Sequence, residues 1–100
     1  MNELQKRVDE LVSEFGGYWG PFEMLAALVE EVGELSEALL SLEGPKGSGS
    51  LGELKEELGD VMFALSCIAN RYGIDLFEAL GESIEKYKSR DSDRWKTGAT

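Results

Sequence analysis

The chain has no histidine, one cysteine and two prolines among its 100 residues. Without imidazole there is no Ser-His-Asp triad, and no Glu-x-x-His pair of the kind that ferritin-like di-iron bundles use. One thiol can build neither a disulfide framework nor a structural zinc site within the chain. Cys67, flanked by apolar residues, reads as a small buried hydrophobe, and the lack of paired cysteines fits a reducing cytoplasm. Positive charge is scarce too. Ten Lys and Arg stand against twenty Asp and Glu, for a formal charge of -10. That argues against nonspecific nucleic-acid binding, which needs a net basic surface. No apolar run approaches the ~20 residues of a membrane span, and the polar start, Met1-Asn2-Glu3-Leu4-Gln5-Lys6-Arg7, has no signal-peptide core. The expectation is a soluble cytoplasmic protein with neither a nucleic-acid nor a membrane partner.

What the chain does have is helical periodicity in four stretches, about 3–15, 21–43, 51–72 and 76–89. Leu4, Val8, Leu11, Val12 and Phe15 mark the first, and Leu25, Leu28, Val29, Val32, Leu35 and Leu39 the second. Leu51, Leu54, Leu58, Val61, Met62, Leu65 and Ile68 mark the third, and Leu76, Phe77, Leu80, Ile84 and Tyr87 the fourth. Asn2, Ser50 and Asp75 stand where N-caps belong, Pro21 suits a first helical position, and Gly16-Gly17, Gly44-Pro45 and Gly73 are stops. No β-type alternation is long enough for a strand. The reading is all-α: one four-helix bundle-like domain over 1–90, with a flexible Gly/Ser loop at 44–50 and a polar tail at 91–100.

Two of these helices break the same local rules in the same way. Glu30-Glu31-Val32-Gly33-Glu34-Leu35 and Glu56-Glu57-Leu58-Gly59-Asp60-Val61 both read acid, acid, apolar, glycine, acid, apolar. Acids three apart are neighbours on a helix surface, where like charges repel, and a mid-helix glycine costs about 1 kcal/mol. Helices two and three, joined by a short loop, should pack antiparallel. The first motif then lies about 16 Å before the loop and the second about 11 Å after it, a mismatch of roughly one turn. Glu31, Glu34, Glu57 and Asp60 can therefore face one another as a four-carboxylate cradle. Oxygen-only ligands select a hard cation, Mg²⁺ or Mn²⁺, and such sites usually share their metal with substrate phosphates. Glu30 and Glu56, each preceding a ligand pair, are candidates to orient or deprotonate an attacking water, Glu30 the stronger. Gly33 and Gly59 either let the helix backbones approach or leave space for a ligand.

These acid motifs resemble those of the MazG-type all-α nucleoside triphosphate pyrophosphohydrolases. The similarity extends through Leu28–Leu35, Glu56–Phe63 and Ala69-Asn-Arg-Tyr-Gly-Ile-Asp-Leu76 to Lys86-Tyr-Lys-Ser-Arg90, or about residues 20–90. The resemblance implies Mg²⁺-dependent cleavage between the α and β phosphates, giving a monophosphate and pyrophosphate. It implies metal ligation by Glu31, Glu34, Glu57 and Asp60, with Glu30 beside the attacking water and Lys86 and Arg90 on phosphate. It also implies a homodimer or homotetramer. Larger members often carry Cys-Pro-Trp-Asp before the first site helix; here Tyr18-Trp19-Gly20-Pro21-Phe22 stands there, and Trp19 or Phe22 is the candidate to stack on a base. Trp95, in the tail, reads either as a stacking lid or as a subunit contact. The alternatives are a phosphoribosyl-ATP pyrophosphohydrolase and a non-catalytic helical binding or oligomerisation module. The module would be favoured by four acids that point apart or by the lack of an adjoining pocket.

Overall fold

The computed structural model describes residues 1–45 and 47–90. Four helices follow one another: α1 (Glu3–Glu14), α2 (Pro21–Glu43), α3 (Leu51–Arg71) and α4 (Leu76–Arg90), with no strand among the described residues. Their ends fall within one residue of those expected from periodicity and punctuation.

Each start is made by the residue that the sequence supplies for it. The Asn2 side-chain oxygen accepts the Gln5 amide at 2.8 Å, and the Ser50 hydroxyl accepts the Glu53 amide at 3.2 Å. Pro21 opens α2, where its missing N–H leaves no bond unmade. The Asp75 carboxylate accepts the amides of Phe77 and Glu78, both at 3.0 Å. The Glu78 amide, then Asn2 and the Phe77 amide, hold that carboxyl below its ordinary value.

Two helices end on glycine in a Schellman arrangement, which ties off carbonyls that the last turn would leave unpaired. After α3, Gly73 adopts φ +68°, its amide bonds Asn70 O at 3.2 Å, and the Ile74 amide bonds Ala69 O at 2.9 Å. Gly16 and Gly17 close α1 similarly onto Ser13 O and Val12 O. Gly73→Ala is expected to lower stability by about 1 kcal/mol, because a Cβ is disfavoured at positive φ while the surrounding space is open. Urea unfolding of the variant checks this, and an unchanged midpoint would contradict it.

α2 and α3 form an antiparallel hairpin, and α1 and α4 both pack on α3, which is the centre of the fold. The loop that composition marks as flexible folds back on α2. The Gly49 amide bonds Ser41 O at 3.0 Å, and a Cβ there would stand 2.7 Å from Leu42 N.

Among the described residues the buried apolar ones are few: Met24, Ala38 and Ala69. Leu25, Val29, Val32 and Leu39 of α2 are exposed, as are Leu80, Ile84 and Tyr87 of α4. The radius of gyration is 16.6 Å, against about 13 Å for a compact domain of this length. The inward face of α1 takes only the half-buried Val8 and Val12 from the apolar stripe. Phe15 is 79% exposed and Leu4 54%, whereas Gln5 is 1% exposed and points into the fold.

Candidate active site

The hairpin register brings Glu31 of α2 level with Glu57 and Asp60 of α3. Each offers a carboxylate oxygen, and the three oxygens lie within 4.8 Å of one another. Glu31 Oε2 and Glu57 Oε2 are both buried and have no hydrogen-bond partner. Burial raises the pKa of each above the ordinary value of 4.5; Glu34, Asp60 and Glu30 add to this at Glu31, and Glu34, Asp60, Glu31 and Glu56 at Glu57. Every charge named is another acid. Glu34 stands outside the 4.8 Å group, yet its field is felt by both of these carboxylates. Glu30 is exposed beside the cluster. Buried, unpartnered acceptors drawn together against their own repulsion are what a cation binds.

The pH dependence follows from these directions. A carboxyl whose pKa is raised on folding favours the folded state below its unfolded value, and loses that advantage as pH rises through the folded value. Asp75, with its pKa lowered, acts oppositely: its contribution is present above its unfolded value and lost as pH falls through the folded one. The metal-free protein is therefore expected to melt higher in mild acid than at pH 7, with a decline again in strong acid. A divalent cation at pH 7 should remove the deficit. Melting curves in a chelator and in metal, across pH, check this; a chelated protein equally stable at pH 7 and in mild acid would refute it.

Glu31 and Asp60 also line one side of an open cavity of about 500 Å³. Its other walls are largely apolar: Val12 of α1 and Phe15 at its C-cap, Tyr18 and Trp19 of the α1–α2 crossover, Met24 and Ala27 of α2, and Phe63, Ala64 and Cys67 of α3. Glu31 and Asp60 thus belong to the lining of a chamber wide enough for a small molecule. Trp19 belongs to this wall; Phe22, the other stacking candidate, is 84% exposed and lies outside it. Cys67 is half-buried, and burial pushes its thiol up, away from the reactive thiolate.

Lys86 and Arg90 do not line the cavity. They lie along α4, flanking the Tyr87 ring at 4.9 and 5.9 Å from its centroid. Gly33 and Gly59 have no atom within 4 Å of where a Cβ would be, so neither serves a close helix approach within the chain. Trp95 lies outside the described residues.

Three residues near the site carry more than the sequence reading gave them. Tyr18 donates to Asp9 Oδ1 at 2.6 Å and accepts from Asn70 Nδ2 at 3.0 Å. Burial, and then the Asp9 bond, raise its pKa to about 12, so the phenol stays protonated. Gln5 is the third. The available signal was a glutamine at the i−3 position to Val8 and i−7 to Val12, on an otherwise apolar face.

The family model of the MazG nucleotide pyrophosphohydrolase domain matches residues 20–95. This chain belongs to the MazG family. It is 38% identical to the uncharacterized protein YpjD of Bacillus subtilis strain 168, over 95% of this chain and 89% of that protein. Two crystal structures are similar. The Bacillus-conserved MazG protein, a nucleotide pyrophosphohydrolase, has a TM-score of 0.75 at 38% identity, over 91% of this chain and 92% of that one. The putative pyrophosphatase YpjD from Bacillus subtilis has a TM-score of 0.74 at 36% identity, over 91% and 95%. The MazG chain is accordingly a hydrolase acting on phosphoric anhydrides, its fold the all-α one of these relatives. No helix among its described residues is long and apolar enough to cross a membrane.

Proposed function

We propose that this MazG protein hydrolyses nucleoside triphosphates, canonical or non-canonical and deoxynucleotides included, to the monophosphate and pyrophosphate with Mg²⁺, or Mn²⁺ in its place. One observation carries the reading: three carboxylates from two helices meet within 4.8 Å, and two of them, Glu31 and Asp60, line a largely apolar cavity.

The donor set fits a hard cation. It offers oxygen only, and two of its oxygens are buried without a partner. Glu31, Glu57 and Asp60 would hold the metal, joined by Glu34 one turn along α2. The bound cation would polarise the phosphoryl oxygens and offset the charge that an acid site otherwise sets against a polyphosphate. Around it the chain does the rest. Glu30, exposed beside Glu31, accepts a proton from the water that attacks the α phosphorus, and pyrophosphate leaves. The base lies in the apolar chamber against Trp19.

Lys86 and Arg90 are proposed to contact phosphate once the protein assembles. The exposed stripes of α2 (Leu25, Val29, Val32) and α4 (Leu80, Ile84, Tyr87) support a homodimer or homotetramer, since one chain leaves this apolar surface uncovered. The basic end of α4 would then approach the acids of another copy. With Cys67 as a free thiol, the cytoplasm is the proposed site of action.

The decisive experiment incubates the pure protein with Mg²⁺ and each of a panel of canonical and modified nucleoside triphosphates. Pyrophosphate and a monophosphate are the expected products. Orthophosphate alone would overturn the cleavage position, and no release with either metal would overturn the reading.

A further inference from the structure

The cavity beside the acids owes one wall to a segment with no regular structure of its own. Residues 16–20 cross from α1 to α2, and two of them, Gly16 and Gly17, sit at φ +103°. Yet Gly17, Tyr18 and Trp19 all line the chamber. A segment built on two glycines must be held from outside if its side chains are to keep their places.

The holding groups come from the last turn of α3. Asn70 Nδ2 donates to Tyr18 Oη at 3.0 Å and to Gln5 O at 3.0 Å, and Asn70 Oδ1 accepts from Gln5 Nε2 at 2.7 Å. The Asn70 amide is thereby clamped on both sides, and its free choice of orientation is removed. Tyr18 passes the constraint on through its 2.6 Å bond to Asp9 of α1. The next residue along, Arg71, reaches from the same turn to Trp19 O at 3.4 Å. Two consecutive side chains of α3 thus hold two consecutive residues of the crossover. The Schellman turn at Gly73 completes the arrangement, for it presents Ile74 O to Gln5 Nε2 at 2.9 Å.

We propose that Asn70 is a positioning residue for substrate: through Tyr18 it fixes the 16–20 crossover so that Trp19 forms the wall against which the non-phosphate end of the nucleotide lies. Asn70 does not touch the substrate. Its effect is confined to the chamber end, because the carboxylates of Glu31, Glu57 and Asp60 are set by the α2–α3 hairpin and not by the crossover. The inference rests on the proposed nucleotide hydrolysis for its kinetic part, and on the crossover's geometry alone for its structural part.

Two variants test it in the full chain, read against the parent for kinetics and, for fluorescence alone, within a Trp95→Phe background, in which Trp19 is the sole tryptophan. Asn70→Ala removes the clamp; Tyr18→Phe removes only the hydroxyl and keeps the ring in the wall. Both should raise KM for a deoxynucleoside triphosphate five- to thirtyfold with kcat within about threefold. The inhibition constant of Mg²⁺-loaded inorganic tripolyphosphate, which has no base, should not move. Trp19 is 62% exposed, so the clamp restrains it without shielding it, and the fluorescence anisotropy of Trp19 should fall in Asn70→Ala. Asn70→Asp, which keeps the acceptor for Gln5 Nε2 and loses the donors to Tyr18 and Gln5 O, should raise KM at least as much as Tyr18→Phe. Unchanged KM in Tyr18→Phe, equal losses for nucleotide and tripolyphosphate, or unchanged Trp19 anisotropy would each overturn the proposal. If the parent protein hydrolyses no nucleotide, the proposed function falls, and the anisotropy result still decides whether Asn70 positions the crossover. Should Asn70→Ala not fold, Tyr18→Phe carries the test.

Discussion

Glu57→Gln and Asp60→Asn are each expected to reduce pyrophosphate release by about a thousandfold or more, while the protein stays folded and, without metal, melts higher than the parent. The first effect follows from neutralising one of three carboxylates whose oxygens meet within 4.8 Å. A neutral amide cannot replace a carboxylate toward a doubly charged ion, and a thousandfold is about 4 kcal/mol of transition-state stabilisation. The second effect runs the other way and comes from the same feature. Glu57 is crowded by Glu34, Asp60, Glu31 and Glu56 after burial has already disfavoured its charge, so the uncharged form suits the metal-free fold better. Loss of activity together with a gain in metal-free stability is the signature of a site that strains the fold for function. Activity assays paired with melting in chelator read both. Parent-level turnover would show that these acids do not hold the metal, and a drop in metal-free melting temperature would show that they stabilise the helices instead.

Part of the candidate site's geometry is legible in the sequence. A like-charge pair at helical spacing gains its helix nothing, and two such pairs at distances from one short loop that differ by only about one turn can face each other. The hairpin brings Glu31, Glu57 and Asp60 together as that arithmetic allows. Helix ends were legible for a similar reason: Asn2, Ser50, Asp75, Gly16 and Gly73 each satisfy a backbone group that a helix end leaves open, and such needs are local. What spacing could not give was anything fixed by the third dimension. Glu34 shares its face with Glu31 but lies outside the closest group, because a side chain's final position depends on what packs around it. Gly33 and Gly59 left two readings open, and the space around them shows that neither serves contact within the chain. The inward face of α1 was the hardest to see. Periodicity nominated Leu4, Val8, Leu11, Val12 and Phe15; the fold half-buries the two valines, buries Gln5 beside them, and leaves Leu4, Leu11 and Phe15 exposed. Hydrophobic pattern alone cannot tell a stripe that faces the core from one that waits for another surface.

That glutamine supports the largest stability prediction. Gln5 is 1% exposed and uses its whole side-chain amide. Nε2 donates to Asn70 Oδ1 and Ile74 O, at 2.7 and 2.9 Å, while Oε1 accepts the Leu76 amide at 2.7 Å and the Asn2 amide group. One side chain in α1 therefore links the end of α3, the turn after it and the first residue of α4. Truncation to alanine would leave those partly buried partners without it, and losing the partner of a polar group costs about 1–3 kcal/mol, toward the lower end where water reaches the group. Two or three such losses, plus the cavity, come to about 3–5 kcal/mol, a large share of the 5–15 kcal/mol that a domain of this kind has in all. Gln5→Leu should be almost as damaging, because it restores the volume and none of the bonds. Gln5→Glu keeps the acceptor for Leu76 and loses both donors, so it should fall between the parent and alanine only at acid pH, where the carboxyl is neutral. The measurement is urea unfolding of the three variants, with amide exchange at Leu76 as a local reporter. A midpoint within about 0.5 kcal/mol of the parent for Gln5→Leu would mean that packing, and not the polar network, holds α1, α3 and α4 together.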